Sequence, residues 1–541
     1  MSQIRRVQSD SPASNRGAQR IVGLVLLVPA AIAFLLQQVI PTVHTVVRSL
    51  TDGGIGEIGA FVGLGNYQAI SGDFLTSLGV TLGLGLLIAA MGMGVGVLLG
   101  ILLRSAPLGW RRAGIGLLAL GLVTYAPASL ALAITSSAGE PAANAVVIAR
   151  IVLTLLPLPI MIGALGAVLT RSAGLLVSLG AVICAAGAAW AAQTDISVLV
   201  PSSTPGWFIT QSALGAGELG PAAAASVIVG ILLAVLGVGV GLALHAVRPR
   251  VDLSADTGAA GSGADAGGAT LDGATRAPSS WNTRDPKGGP SRSRGQGIIG
   301  VLAGLVVVAV SALLAWPWLS QLGVGLEDEV AGSVTWTAAG WRIVELVLTV
   351  LVTASAAVGI GYLRAFGPHS LRALLVLTPW FFIGLTPLVT AIYAGWSPDA
   401  QSPPYFGFTP HLLTVPLLFA LTYIADGIGS AHASGRRIRV GATVGAVVLA
   451  VGILALVRSQ QVLWEVVFLF AETGRGAVLE VLRIMSQTFY DVVPLAILTP
   501  VPLLVLGALI LAGAAALVPG ITLVASSRNR DPRPHSTGSG M

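Results

Sequence analysis

Charge is what this sequence has least of. Asp, Glu, Lys and Arg make up 10% of its 541 residues, where soluble domains carry roughly a quarter. Such a chain cannot clothe a water-soluble surface, which excludes an ordinary globular enzyme. Lysine is nearly absent: Lys287 is followed by Gly288 and Gly289. A Walker A loop needs Ser or Thr directly after its lysine, so ATP is not bound in that way. Cysteine occurs once, as Cys184 in an apolar run. That excludes an intrachain disulfide and a thiolate metal cluster, and it reads as a buried, inert thiol. His44, His245, His369, His411, His432 and His535 are scattered, without metal-ligand spacing. No His-Glu-x-x-His occurs, and no Gly-x-Ser-x-Gly elbow follows a strand pattern. Carboxylates within the apolar runs are too few for a proton relay. No catalytic residue, cofactor or metal is therefore expected.

What is there is apolar. Hydrophobic residues are 54% of the chain and mean hydropathy is +0.86. Runs of about 20 apolar residues, the length that crosses a hydrocarbon core, recur. The first six lie at 21–45, 76–103, 113–136, 145–170, 173–193 and 222–246. Six more follow at 297–319, 342–363, 372–396, 411–429, 438–457 and 493–524. The first run is longer than the apolar core of a signal peptide, so it is expected to stay as a span. The expected fold is an all-α integral membrane protein of about twelve transmembrane helices in two six-helix halves, 20–249 and 297–525. The Gly/Ser/Ala/Asp-rich stretch 250–296 has no hydrophobic period and reads as a disordered linker. The tails 1–19 and 526–541 read the same way.

The basic residues orient the chain. With residue 1 in the cytoplasm and spans alternating, inside segments hold 23 of the 29 Lys and Arg residues. Arg48, Arg150, Arg342, Arg458, Arg475 and Arg483 fall outside or near the outer rim. The positive-inside rule favours this arrangement. It predicts a multi-pass cell-membrane protein with both termini cytoplasmic. It also explains a pI near 10.0 without nucleic acid, and the partner expected first is membrane lipid. Arg342 and Glu345, three residues apart, read as a local ion pair, and Arg150 as an interfacial snorkel. Tyr125 and Trp380, aromatic groups inside apolar runs, are candidate pathway residues. The halves also resemble each other: Gln211-Ser212 and Gln487-Thr488 precede their last spans. Repeated halves are common among transporters, with the pathway at their interface.

After the first span, which holds Pro41, the chain reads Arg48-Ser-Leu-Thr-Asp52 and then Phe61-Val-Gly-Leu-Gly-Asn-Tyr67. This resembles the inner-membrane permease subunits of binding-protein-dependent sugar ABC importers, the maltose-type family. The resemblance covers most of 20–247 and is thinner over 297–525. It implies two permease halves fused in one chain, and import of a sugar or similar small polar solute. It implies ATP-binding subunits on the cytoplasmic side and an external solute-binding protein. The binding-protein contact would include Asp52, Phe61, Gly63, Asn66 and Tyr67. The family's Glu-Ala-Ala-x-x-x-Gly loop, which docks into the ATPase, belongs between the fourth and fifth spans of each half. It is missing from both. Arg171 stands there in the first half. Asp426 to Arg439, with Arg436 and Arg437, stands there in the second and would carry most of the coupling.

Two other readings share the span count. A carrier of the major facilitator kind usually has an Asp-Arg loop between spans two and three. Here that loop is Arg104-Ser-Ala-Pro-Leu-Gly-Trp-Arg-Arg112, without aspartate. A membrane glycosyltransferase could use Asp52 as its outer-loop acid but lacks a second acidic partner. A membrane scaffold without transport is the remaining alternative.

Overall fold

The computed structural model describes residues 13–54, 59–70, 72–127, 130, 145–170, 172–194, 204–253, 294–320, 329–394, 412–460 and 501–525. Its elements are almost all helical. In the first half, α1 runs Ala13–Phe34 and continues through a π turn, Leu35–Val39, into Ile40–Ser49. Next come α2 (Gly72–Ser105) and α3 (Leu108–Leu120). Then follow α4 (Ala145–Thr154 and Pro157–Leu169), α5 (Ala173–Gln193) and α6 (Leu219–Val247). In the second half, α7 is Arg294–Leu314 and α8 is Glu329–Ala357, ending in a π turn, Val358–Tyr362. The next element, α9, is a broken run from Ser370 to Ala394. Last are α10 (Val415–Ala433), α11 (Val440–Ser459) and α12 (Val501–Leu517).

The protein is thus an all-α membrane protein. Among the described residues nine helices are long and apolar enough to cross a bilayer. The expected runs 113–136, 372–396 and 411–429 are not among them. The first leaves α-helical geometry after Leu120, runs as a 3-10 turn to Thr124, and ends short of Pro127, which cannot continue a helix. The second is broken around Pro379, Gly384 and Pro387. The third forms α10 but is diluted by Asp426, Ser430 and His432.

Other boundaries also shift. The expected tail 1–19 turns helical at Ala13. The expected linker 250–296 has ordered ends: a strand at Pro249–Asp252 and a helix from Arg294. The rest of it, 254–293, lies outside the described residues, as do 1–12, 526–541 and Gln487-Thr488.

Apolar side chains face outward in stripes. On α6, Ile231, Val235 and Leu242 are 61%, 64% and 58% exposed. A lipid surround makes that surface favourable. Inward, helices meet on small residues, as expected where no hydrophobic force separates helix from lipid. A methyl group added at Gly96 or Gly100 of α2 would overlap the Ile160 or Ala164 carbonyl of α4.

Packing within and between the halves is reciprocal. Helix α1 lies against α8 of the other half, and α7 lies against α2 and α3. Similarly, α6 packs on α9, and α12 packs on α3. Each contact has its counterpart six elements further on, as a two-fold repeat requires. The segments after α6 and α12 close the motif. Strands β1 (Pro249–Asp252) and β2 (Thr522–Ala525) pair antiparallel, Pro249 opposite Ala525 and Asp252 opposite Thr522. This strand pair marks the arginine-rich end of the molecule.

Candidate translocation site at the seam between the halves

At the end away from the strands, the stretch that carries the family resemblance folds back on the end of α1. Thr51 and Phe61 form an antiparallel bridge, and Asp52 N–H donates to the Ala60 carbonyl at 3.1 Å. Asn66 Nδ2 donates to the carbonyls of Ser49 (3.1 Å) and Thr51 (2.8 Å). Tyr67 OH meets Ser49 Oγ at 2.8 Å. Gly63 turns the chain at φ 60°, a conformation open to glycine. Asn66 is buried against Gly220 at the start of α6. Phe61 and Leu64 project outward, 76% and 67% exposed. Asn66, Tyr67 and Gly63 therefore build the loop, and Phe61 and Asp52 lie on its surface.

One polar region inside the membrane-spanning part lies where α1 meets α9. The π turn of α1 holds Gln37 and Gln38; such single-turn bulges cluster at functional sites. The Gln38 carbonyl accepts from Thr42 Oγ1 at 2.6 Å, and Thr42 Oγ1 accepts in turn from the indole of Trp380 at 3.1 Å. Trp380 also meets Phe34 edge to face, centroids 5.1 Å apart. Beyond Trp380 the helix is unwound until Thr386. A freed backbone in lipid must find partners, and here the other half supplies them. Gln193, the last residue of α5, donates from Nε2 to the Phe382 carbonyl at 2.9 Å. Its Oε1 accepts from Gly384 N–H at 2.7 Å. Its own carbonyl accepts from Thr386 Oγ1 at 2.8 Å.

Around this break sit buried polar atoms with no partner in the structure: Gln38 Oε1, Thr45 Oγ1, Ser226 Oγ and Thr390 Oγ1. They come from α1, α6 and the last segment of α9, which pack on one another. Unpaired buried hydroxyls and amides are uncommon and call for an explanation. A ligand rich in hydroxyls would satisfy them. In this conformation the seam is closed over them.

Of the two aromatic candidates, Trp380 lies at this break, whereas Tyr125 lies elsewhere between the halves. Tyr125 is 4% exposed, packed with Leu130, Ile151 and Trp318. Sequence reasoning passed over Gln193 and Gln38. The available signal was two glutamines within the first apolar run and one closing the fifth.

A second polar cluster joins α8, α10 and α11. Arg458 Nη1 lies 3.4 Å from Glu345 Oε1 and 3.0 Å from Thr349 Oγ1, and its Nη2 is 2.7 Å from Thr414 Oγ1. Both charged side chains are 14% exposed. Glu345 is thus bridged from another helix, whereas the local pairing expected with Arg342 involves a side chain outside the described residues.

The arginine-rich end holds the candidate coupling residues. Arg171 lies outside the described residues. Its neighbour Thr170 forms a bridge to Leu523 of β2, and its carbonyl accepts from Arg104 at 3.3 Å. In the second half the helix runs on to Ala433, so the expected loop from Asp426 shrinks to 434–439. Asp426 is inside α10 and paired with Arg364 at 2.8 Å. Arg439 N–H donates to the Leu253 carbonyl, and its Nη1 to the Gly520 carbonyl. Arg436 and Arg437 are exposed. The fourth-to-fifth turns of both halves are therefore occupied by the strand ends that follow α6 and α12.

No protein-family model, curated protein or solved structure matches the chain.

Proposed function

We propose that this chain is the transmembrane permease of an ABC-type importer for a sugar or similar small polar solute, with two permease halves fused. The observation that carries the reading is the unwound stretch of α9, held by Gln193 of the other half and surrounded by unpartnered polar groups. Broken helices at a repeat interface are where transporters bind polar solutes. The resemblance of Phe61–Tyr67 to maltose-type permeases supports the same reading. In this account the loop 52–67 faces outward and its exposed Phe61 and Asp52 meet a solute-binding protein. The arginine-rich end faces the cytoplasm, as the positive-inside rule requires, with both termini there. Arg436 and Arg437 are the residues free to meet an ATPase.

The test is uptake. Cells lacking the gene, given a panel of labelled mono- and oligosaccharides, lose uptake of at least one. Wild-type chain restores it. Gln193→Leu, at equal abundance in the membrane, does not. Unchanged uptake of the whole panel in the deletion strain overturns the sugar reading.

A further inference from the structure

We infer that a cavity at the arginine-rich end binds the phosphate of an anionic ligand, and that the ligand is a membrane phospholipid headgroup. The cavity lies between the end of α6, the turn before α9 and α10, and measures about 200 Å³. That volume holds a phosphoryl group with a few waters. Arg248, Arg250, Arg364, Arg372 and His245 line it, with Asp426 as the single acid. Arg364 already neutralises Asp426. Three guanidinium groups then share the cavity with no anion among the described residues to answer them. Guanidinium forks match phosphate oxygens in geometry as well as charge.

The backbone shows how two of these arginines are brought to the cavity. Among the described residues just two other than glycine are left-handed, Arg248 (φ 45°) and Arg364 (φ 50°). Both line this cavity. Each closes a helix, Arg248 at the end of α6 and Arg364 after the π turn of α8, so the two helix ends set their guanidinium stems on the same cavity. Depth points to lipid as the source. Leu242, on the lipid-facing stripe of α6, is 58% exposed. It stands less than two turns before Arg248, which places the cavity mouth where the apolar surface ends. Basic pockets between membrane helices at that depth hold phospholipid headgroups.

Native mass spectrometry of the full chain in mild detergent tests this, with thermal unfolding as a second readout. Neither measurement depends on transport, so the result stands apart from the permease reading. Phosphatidylglycerol is compared with phosphatidylcholine and with inorganic phosphate. Wild type retains and is stabilised by phosphatidylglycerol. Arg248→Gln with Arg250→Gln and Arg372→Gln weakens that binding at least tenfold, and Arg372→Gln alone weakens it measurably should the triple variant fold poorly. Arg436→Gln with Arg437→Gln, on the same face but outside the cavity, leaves it unchanged. Stabilisation by inorganic phosphate without phosphatidylglycerol retention keeps the phosphate site but overturns its lipid source. Equal binding by wild type and both cavity variants, or equal loss in the Arg436/Arg437 control, overturns the site itself.

Discussion

Individual polar side chains matter here because each is surrounded by groups that cannot replace it. Asn66 is an instance: its amide satisfies two carbonyls at the end of α1, in a position 9% exposed. Asn66→Ala leaves those carbonyls unpaired and should destabilise the folded protein by about 1–3 kcal/mol. Thermal unfolding in detergent should show the drop. Tyr67→Phe loses one hydrogen bond and should cost about 1 kcal/mol. Phe61→Ala, at an exposed ring, should leave unfolding unchanged and weaken capture of the solute-binding protein. The Phe61–Tyr67 stretch stood out in the sequence through its resemblance to a permease family, and the bracing of the end of α1 by Asn66 and Tyr67 was not read from it. Gln193 was not legible: its partners lie 189 and 191 positions away, across the seam. A single sequence does not say which apolar runs will touch. The same limit hid the pairing of Glu345 with Arg458, 113 positions apart, behind a nearer arginine.

Elements were read well where they are long and uniform, and poorly where proline or charge interrupts them. Nine of the expected runs form helices long and apolar enough to cross a bilayer among the described residues. Hydropathy counts apolar residues and is blind to whether the backbone between them is helical, so the break in α9 looked like another span. The small residues carried no pattern in the sequence, because only those at crossings matter. Gly96→Leu and Gly100→Leu would force α2 off α4, while Gly94→Leu points into open space. Fluorescence-detected size exclusion should show aggregation for the first two and a native peak for the third. Three native peaks would mean that α2 and α4 are further apart than described here.

At the scale of the molecule, the halves are interlocked. Because α1 lies on the second half and α7 on the first, 254–293 need not hold the halves together. Cutting that segment at an inserted protease site should leave one peak in detergent, through the exchanged helices and the pairing of β1 with β2. Interlocking also explains why the seam can be polar: α6 and α9, α3 and α12 bring both halves to one interface. A two-fold repeat was suspected from sequence, but the exchange of first helices was not. Neither first run carries a mark in the sequence of which half it serves. Exchange of the first helices is the central structural claim, and a disulfide reads it directly. Gly23 of α1 would place a Cβ 3.3 Å from that of Leu363 in the second half, close to disulfide reach. The chain carries Cys184→Ala, Gly23→Cys, Leu363→Cys and a protease site within 260–285. After oxidation and cleavage, a non-reducing gel should show one full-length band that reduction splits in two. Two fragments without reduction, in protein that elutes natively, would contradict the account.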